Sequence, residues 1–388
     1  MPTSELLAPR GDQRLALVVK SSALTGIDVE TGLGELLWSE RGRSIWAAAT
    51  DDTGTMVAVL SAPTDQPSRW RVDFVDIDDG RMERVAIGPR DGTPDAVPDA
   101  ITAGTGGIAW IPGSQSVAVA LPSGGMLQVY PDGSQVRLLR ASDAKRPAAV
   151  AVSPSGQAVA FVDRSSEHDG NGILAGSMKA KPIDPIVVLP GDRSGNRSAR
   201  ELGWVGSSDR LMTIIDRTEL GTPQGDLFYV DVTTARPALA WSSPSGGETA
   251  SVDAFAVSPD GAVVAFLTNS NDRASTRPSS FWLMQIDGPA IERFDLPTSL
   301  RDTRLTFTSS GVVASGLLNA GDAESPLAAA FLLGALGEVG AIYVESVEAT
   351  PVALPGGSPV ASPVGSPAAT PLASPVGAGS PVASTTEE

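Results

Sequence analysis

One pattern constrains the fold of this chain more than any other. An apolar run, a short Ser-Pro-x-Gly turn and a second apolar run recur along it. The clearest copies are Val150–Phe161, turning at Ser153-Pro154-Ser155-Gly156, and Phe255–Phe266, turning at Ser258-Pro259-Asp260-Gly261. Pro presets φ at the first central position of a tight turn, and Gly accepts the positive φ that ends it. The flanks are Val, Ala and Phe, which suit strands covered on both faces.

Five weaker copies follow the same grammar. They are Leu6–Arg10 to Leu15–Val19, Ile45–Trp46 to Met56–Leu60, Ile108–Ile111 to Val117–Ala120, Leu202–Val205 to Leu211–Ile214 and Leu305–Phe307 to Val312–Ala314. Six of the seven turns hold Gly, at 11, 54, 113, 156, 261 and 311, and Asp209 takes that place in the fifth copy. Two further strand-like runs follow most copies, as at Val72–Ile77 with Glu83–Ile87 and Leu227–Val232 with Ala238–Trp241. Asp79-Gly80, Asp132-Gly133 and Asp287-Gly288 give hairpin signals between such runs. Four strands per unit and seven units describe an all-β, seven-bladed β-propeller over residues 1–348, with six blades as the alternative. Polar–apolar alternation, as in Gln128-Val129-Tyr130, is expected in outer strands and continuous Val/Ala runs inside.

The string Ser258-Pro259-Asp260-Gly261-Ala262-Val263-Val264-Ala265-Phe266 resembles the core signature of TolB-like, WD40-like (PD40) propeller repeats. Ser153–Phe161 resembles it with one substitution. The resemblance implies a scaffold fold shared by binding modules and by non-catalytic domains of some peptidases. Its signature residues make turns and core, so it implies no functional residue. True WD40 repeats are not indicated: the sole histidine, His168, cannot supply a recurring Gly-His pair.

From Ala349 the composition changes. Prolines recur every four residues from Pro351 to Pro375 among Ser, Ala, Val, Gly and Thr, with no charge before Glu387. Residues 349–388 read as a low-complexity, disordered, extended tail. Such stretches resemble stalks and linkers of exported bacterial proteins. An extracytoplasmic location is therefore favoured, although no signal peptide is visible. Leu327–Val344 carries one charge, Glu338, and reaches the lower length limit of a spanning helix. Gly334, Gly337 and Gly340 interrupt it, and the seventh unit needs its third and fourth strands there, so strands are expected.

Composition removes other chemistries. With no cysteine there is no disulfide and no thiolate metal site. With 45 acidic against 28 basic residues, net charge −17, nucleic acid is not an expected partner. His168 lies in a polar loop beside Glu167 and Asp169 and reads as an exposed loop residue rather than a general base. Asp169-Gly170-Asn171-Gly172 and Asp76-Asp78-Asp79 bear a faint likeness to calcium loops but lack the spaced ligands and closing Glu of an EF-hand. Trp46, Trp110 and Trp204 occupy equivalent points of their first strands in this reading, and serve blade packing rather than a sugar platform.

No catalytic, cofactor or metal residue is assigned. The expected function is a non-enzymatic binding or scaffold module, a monomer, with a protein or peptide partner on a rim of loops such as Ser61–Arg69 and Asn269–Ser279. The alternatives are a hydrolase or lactonase with a channel metal, and a sensor anchored through 327–344. Innermost acids would mark the first; only Glu201 and Asp253 appear there, read as beginning their strands.

Overall fold

The computed structural model describes residues 15–20, 22–51, 53–66, 69–77, 82–83 (backbone only), 107–121, 125–140, 147–164, 171–192, 197–206, 209–218, 224–243, 250–270, 277–288, 291–318, 327–334 and 337–345. The chain divides into Met1–Val347, which holds all of these, and Glu348–Glu388.

Seven antiparallel sheets follow one another in chain order. Six have four strands, each paired with its sequence neighbour. Their first strands are Arg43–Thr50, Ile108–Trp110, Pro147–Val152, Arg197–Trp204, Ala250–Val257 and Leu300–Thr308. Each packs beside the first strand of the next sheet, so these six line a common axis. The first sheet shows three strands, Leu15–Lys20, Ala23–Asp28 and Gly34–Ser39. A bulge at Leu24/Thr25 joins the last two, as bulges join third and fourth strands at Met126/Leu127, Leu227/Phe228 and Ala330/Phe331. The three are thus the second to fourth strands of their unit. The expected innermost strand, Leu6–Arg10, lies outside the described residues.

The turns between first and second strands work as their residues dictate. Ser258 N–H donates to Val263 O at 2.8 Å, and Val263 N–H returns a bond to Ser258 Oγ at 3.0 Å. Ser153 with Ala158 repeats both bonds, and Asp51 with Met56 repeats them through its carboxylate. Gly54, Gly156 and Gly261 end the turns at φ of 72°, 67° and 69°. Gly261 has a second reason to lack a side chain: a Cβ there would lie 2.6 Å from the Cα of Gly206 in the preceding sheet. In the fifth unit Gly206, at φ 55°, adopts the left-handed conformation, three positions ahead of Asp209.

The apolar residues gather into seven clusters, and every cluster lies between two sheets. Phe281 and Leu283 of the sixth sheet meet Phe307, Val312 and Phe331 of the seventh. Ile214 and Leu227 of the fifth meet Phe255 and Phe266 of the sixth. Ala16, Val18 and Ile27 of the first sheet meet Val313, Ala328 and Ala330 of the seventh, which closes the ring. Second strands carry the load because both their faces are covered: Val57 to Ala62 are all buried. Burying one such Phe or Leu stabilises by about 1.5–3 kcal/mol. The chain is a seven-bladed β-propeller.

Leu327–Val344 forms two strands, Ala328–Gly334 and Val339–Val344, paired in register Leu332↔Gly340. The anchored-sensor alternative therefore loses its helix; no helix among the described residues is long and apolar enough to cross a membrane. One expectation about strand order is also corrected. Gln128 and Val129 lie in a third strand, buried, where Gln128 Nε2 donates to Ser116 Oγ at 2.8 Å. Its alternation reflects an internal polar contact rather than an outer edge.

Candidate functional site in the central channel

The innermost strands do not run straight. In five sheets the pairing of first and second strands slips, at Ile45/Ala47, Pro147/Val150, Ala199/Glu201, Val252/Ala254 and Arg301/Arg304. Counting back five residues from the start of each turn gives one equivalent position: Trp46, Ala148, Arg200, Asp253 and Thr303. A β-bulge leaves its extra residue out of the ladder and re-aims the neighbouring side chains. The next position reads Ala47, Ala149, Glu201, Ala254 and Arg304. Three sheets place a methyl group there, while the fifth and seventh place opposite charges.

These charges converge from different sheets. Arg304 Nη1–H donates to Ala48 O at 2.7 Å, which spans from the seventh sheet to the second. Arg200 Nε–H donates to Asp216 Oδ1 at 3.0 Å, and its other nitrogens donate to Asp253 O, at 2.7 Å, and Val252 O in the next sheet. Thr303 Oγ1–H donates to Asp253 Oδ2. The Phe255 backbone N–H lies on the side of Glu201 that favours its ionised form. All five side chains keep part of their surface open, as lumen-facing groups do.

The electrostatics follow from this enclosure. Burial pushes the Glu201 carboxyl up from 4.5 to about 7; Asp253 adds to the rise, while Arg200 and Arg304 oppose it. Burial pulls the Arg304 guanidinium down, and Glu201 counters in part. Burial acts the same way on Arg200, but Asp216, Asp253 and Glu201 outweigh it and hold that guanidinium above its ordinary value.

The candidates read from the sequence fall into place unevenly. Glu201 and Asp253 do share the lumen, but at mid-strand bulges rather than at strand starts. They come with guanidiniums, not with a third acid; among the described residues no group of three or more His, Asp or Glu could hold a metal. His168, Glu167, Asp169, Asp78 and Asp79 lie outside the described residues.

The tryptophans need a correction. Trp110 and Trp204 are equivalent: each indole N–H donates to a carbonyl of the preceding sheet's inner strand, Ala49 O at 2.7 Å and Ala151 O at 3.1 Å. Trp46 is not their equivalent, because the bulge position, four residues earlier in the repeat, is where it sits. The two equivalent rings are blade packing, as expected. The residue that sequence reading misses is Arg304. The signal is there to be found: aligned on their turns, the repeats show Ala, Ala, Glu, Ala and Arg at one position.

No family model matches the chain, and no curated protein matches it. Solved structures do resemble it. An oligogalacturonate lyase from Vibrio parahaemolyticus superposes with TM-score 0.56 at 9% identity, covering 87% of this chain and 88% of the lyase. A puromycin-hydrolysing peptidase of Mycobacterium tuberculosis gives TM-score 0.53 at 14% identity, covering 92% of this chain but 55% of the peptidase. The β-propeller domain of Cps50 from Myceliophteria thermophila gives 0.51 at 15% identity, over 81% and 94%. At these identities the likeness concerns the fold alone, and the fold hosts both enzymes and scaffolds.

Proposed function

We propose that this chain is a non-enzymatic binding module that takes its ligand at the central channel, with the surrounding loops suited to a protein or peptide partner. One observation carries the reading. Glu201 and Arg304 stand where three other sheets use alanine. Enclosed charges cost stability that a methyl group would not. Three sheets form with a methyl group at this position, so packing alone does not demand the charges, and their place at the lumen points to recognition. A PD40-like scaffold ancestry is consistent with this role.

The competing reading is a channel-metal hydrolase. The test is a turnover screen of the full chain on esters, lactones, aminoacyl amides and oligogalacturonate, each with and without Mn²⁺ and Ca²⁺. The module reading expects no turnover above the E201Q/R304Q double variant. Metal-dependent turnover that the double variant loses sinks it.

A further inference from the structure

Trp110 and Trp204 hold equivalent places, but what covers their rings differs. Across the second sheet, Ala49 pairs with Ala58 and Ala58 with Phe74. Across the fourth, Ala151 pairs with Ala160 and Ala160 with Ala175. Ala49 and Ala151 supply the carbonyls that accept the two indoles, so Phe74 and Ala175 occupy one position of the repeat. Phe74 meets the Trp110 ring edge-to-face, with centroids 5.8 Å apart. Ala175 has only a methyl group to offer, and a cleft of about 400 Å³ lies there between the fourth and fifth sheets, with Trp204 and Ala175 in its lining. That is room for one long side chain or a small molecule.

The cleft is held open by bonded backbone. Gln157 O accepts the Met178 N–H at 2.7 Å on the fourth-sheet rim, and Asp209 O accepts the Val232 N–H at 2.8 Å on the fifth. Ile186, opposite Ala175 on the outer strand, is 58% exposed, whereas Val188 of the same strand is fully buried in the cluster between these two sheets. The seam is therefore sealed at one end and open at the other, with an apolar lip.

Three ionisable side chains line it: Asp184 and Lys179 from the fourth sheet and Asp209 from the fifth. Among the described residues, none of these side chains makes a hydrogen bond or an ion pair within 4.0 Å. The lining thus carries one net negative charge, on a chain of net charge −17, with a carboxylate on each wall. An indole and an isoleucine beside two uncommitted carboxylates complement a cation on an apolar stem, which is the make-up of arginine and lysine.

We propose that this cleft takes an arginine or lysine side chain of a partner protein, its stem along Ile186 and Trp204 and its cationic head between Asp184 and Asp209. Lys179 and Gln157, on the fourth-sheet rim, remain for the partner's backbone carbonyls. None of these residues is at the bulge positions of the channel, so the site goes beyond the channel reading and does not depend on it.

The experiment is a titration of the full chain followed by NMR of its tryptophan indole N–H groups. There are seven tryptophans, and the Trp204 signal is the one missing from Trp204→Phe. The probes are acetyl-Gly-Arg-Gly-amide and acetyl-Gly-Lys-Gly-amide. The controls are the same tripeptide with citrulline, which keeps the shape of arginine without its charge, D-glucose, and sodium chloride at matched ionic strength. The expected result is a saturable movement of the Trp204 signal with at least one cationic probe and with no control. Asp184→Asn and Asp209→Asn, both at exposed positions, each weaken binding about threefold or more. Ala175→Phe puts into the fourth sheet the ring that the second sheet already carries, and abolishes binding by filling the space. If citrulline or glucose matches the cationic probes, or if no probe moves the Trp204 signal, the assignment is overturned. The wild-type comparison of probes with controls decides this even where Ala175→Phe does not fold. A null result leaves the turnover screen and the channel untouched, so the two readings fail separately.

Discussion

Replacing Glu201 by Gln tests the physical state of the channel directly. The folded chain holds the Glu201 proton up to about pH 7, whereas the ordinary carboxyl releases it near 4.5. A folded-state pKa above the unfolded one means that the native state binds the proton more tightly. The resulting stabilisation is complete below about pH 4.5, declines as pH rises, and is gone above about pH 7. At about 1.4 kcal/mol per pH unit, the swing is about 3 kcal/mol. Gln imitates the neutral acid and does not titrate, so the variant escapes this loss. Urea unfolding of both proteins at pH 4, 5, 6, 7 and 8 gives the comparison. The stability of E201Q minus that of wild type is expected to climb by about 3 kcal/mol between pH 4 and 8, with its steepest part between 5 and 7. Cancellation by the other carboxylates is not a concern, since they are common to both proteins. A difference that stays flat across this range would show that Glu201 titrates as an ordinary surface acid, and the enclosed lumen would not exist as described.

Three further outcomes follow from the packing. Gly261→Ala combines a left-handed φ of 69° with a Cβ 2.6 Å from Gly206 Cα, whereas Gly113→Ala has φ 70° and open space; urea midpoints should place the first at about 3 kcal/mol or more and the second near 1–2. Trp38→Phe removes the indole N–H that reaches buried Asp73 Oδ2 at 2.8 Å, leaving Arg71 as its partner, and should cost about 2 kcal/mol by the same assay. Trp110→Phe and Trp204→Phe each strip one donor from a different interface, so their losses of about 1 kcal/mol should add in the double variant.

The sequence carries the ring because a ring is made of local grammar. Ser258-Pro259-Asp260-Gly261 is a turn wherever it occurs, and the Val/Ala runs beside it can satisfy both faces only between neighbouring sheets. Leu327–Val344 is readable as strands for the same reason, since three glycines and a needed pair of strands outweigh hydropathy. The channel is less legible. Its distinguishing feature is a register slip, and a slip has no sequence signature of its own. Arg200 and Asp253 look like ordinary strand residues until the bulge lifts them from the ladder. Arg304 meets Ala48 over 256 positions of chain, a partnership that no local pattern contains. The same slip hides the true place of Trp46, because strand hydrophobicity alone does not distinguish the bulge from a position nearer the turn.

The two ends of the ring meet between the first and seventh sheets. Among the described residues, the cluster there is built mainly of Ala and Val, where the sixth and seventh sheets join through Phe281, Phe307 and Phe331. Polar stitches supplement it: Ser315 Oγ–H on Leu17 O at 2.7 Å, and the half-exposed Lys20–Glu345 pair. Arg304 adds a tie that steps over the first sheet altogether. A closed ring has no free edge only while this joint holds, so Ser315 and Lys20 tie the fate of the first sheet to that of the last.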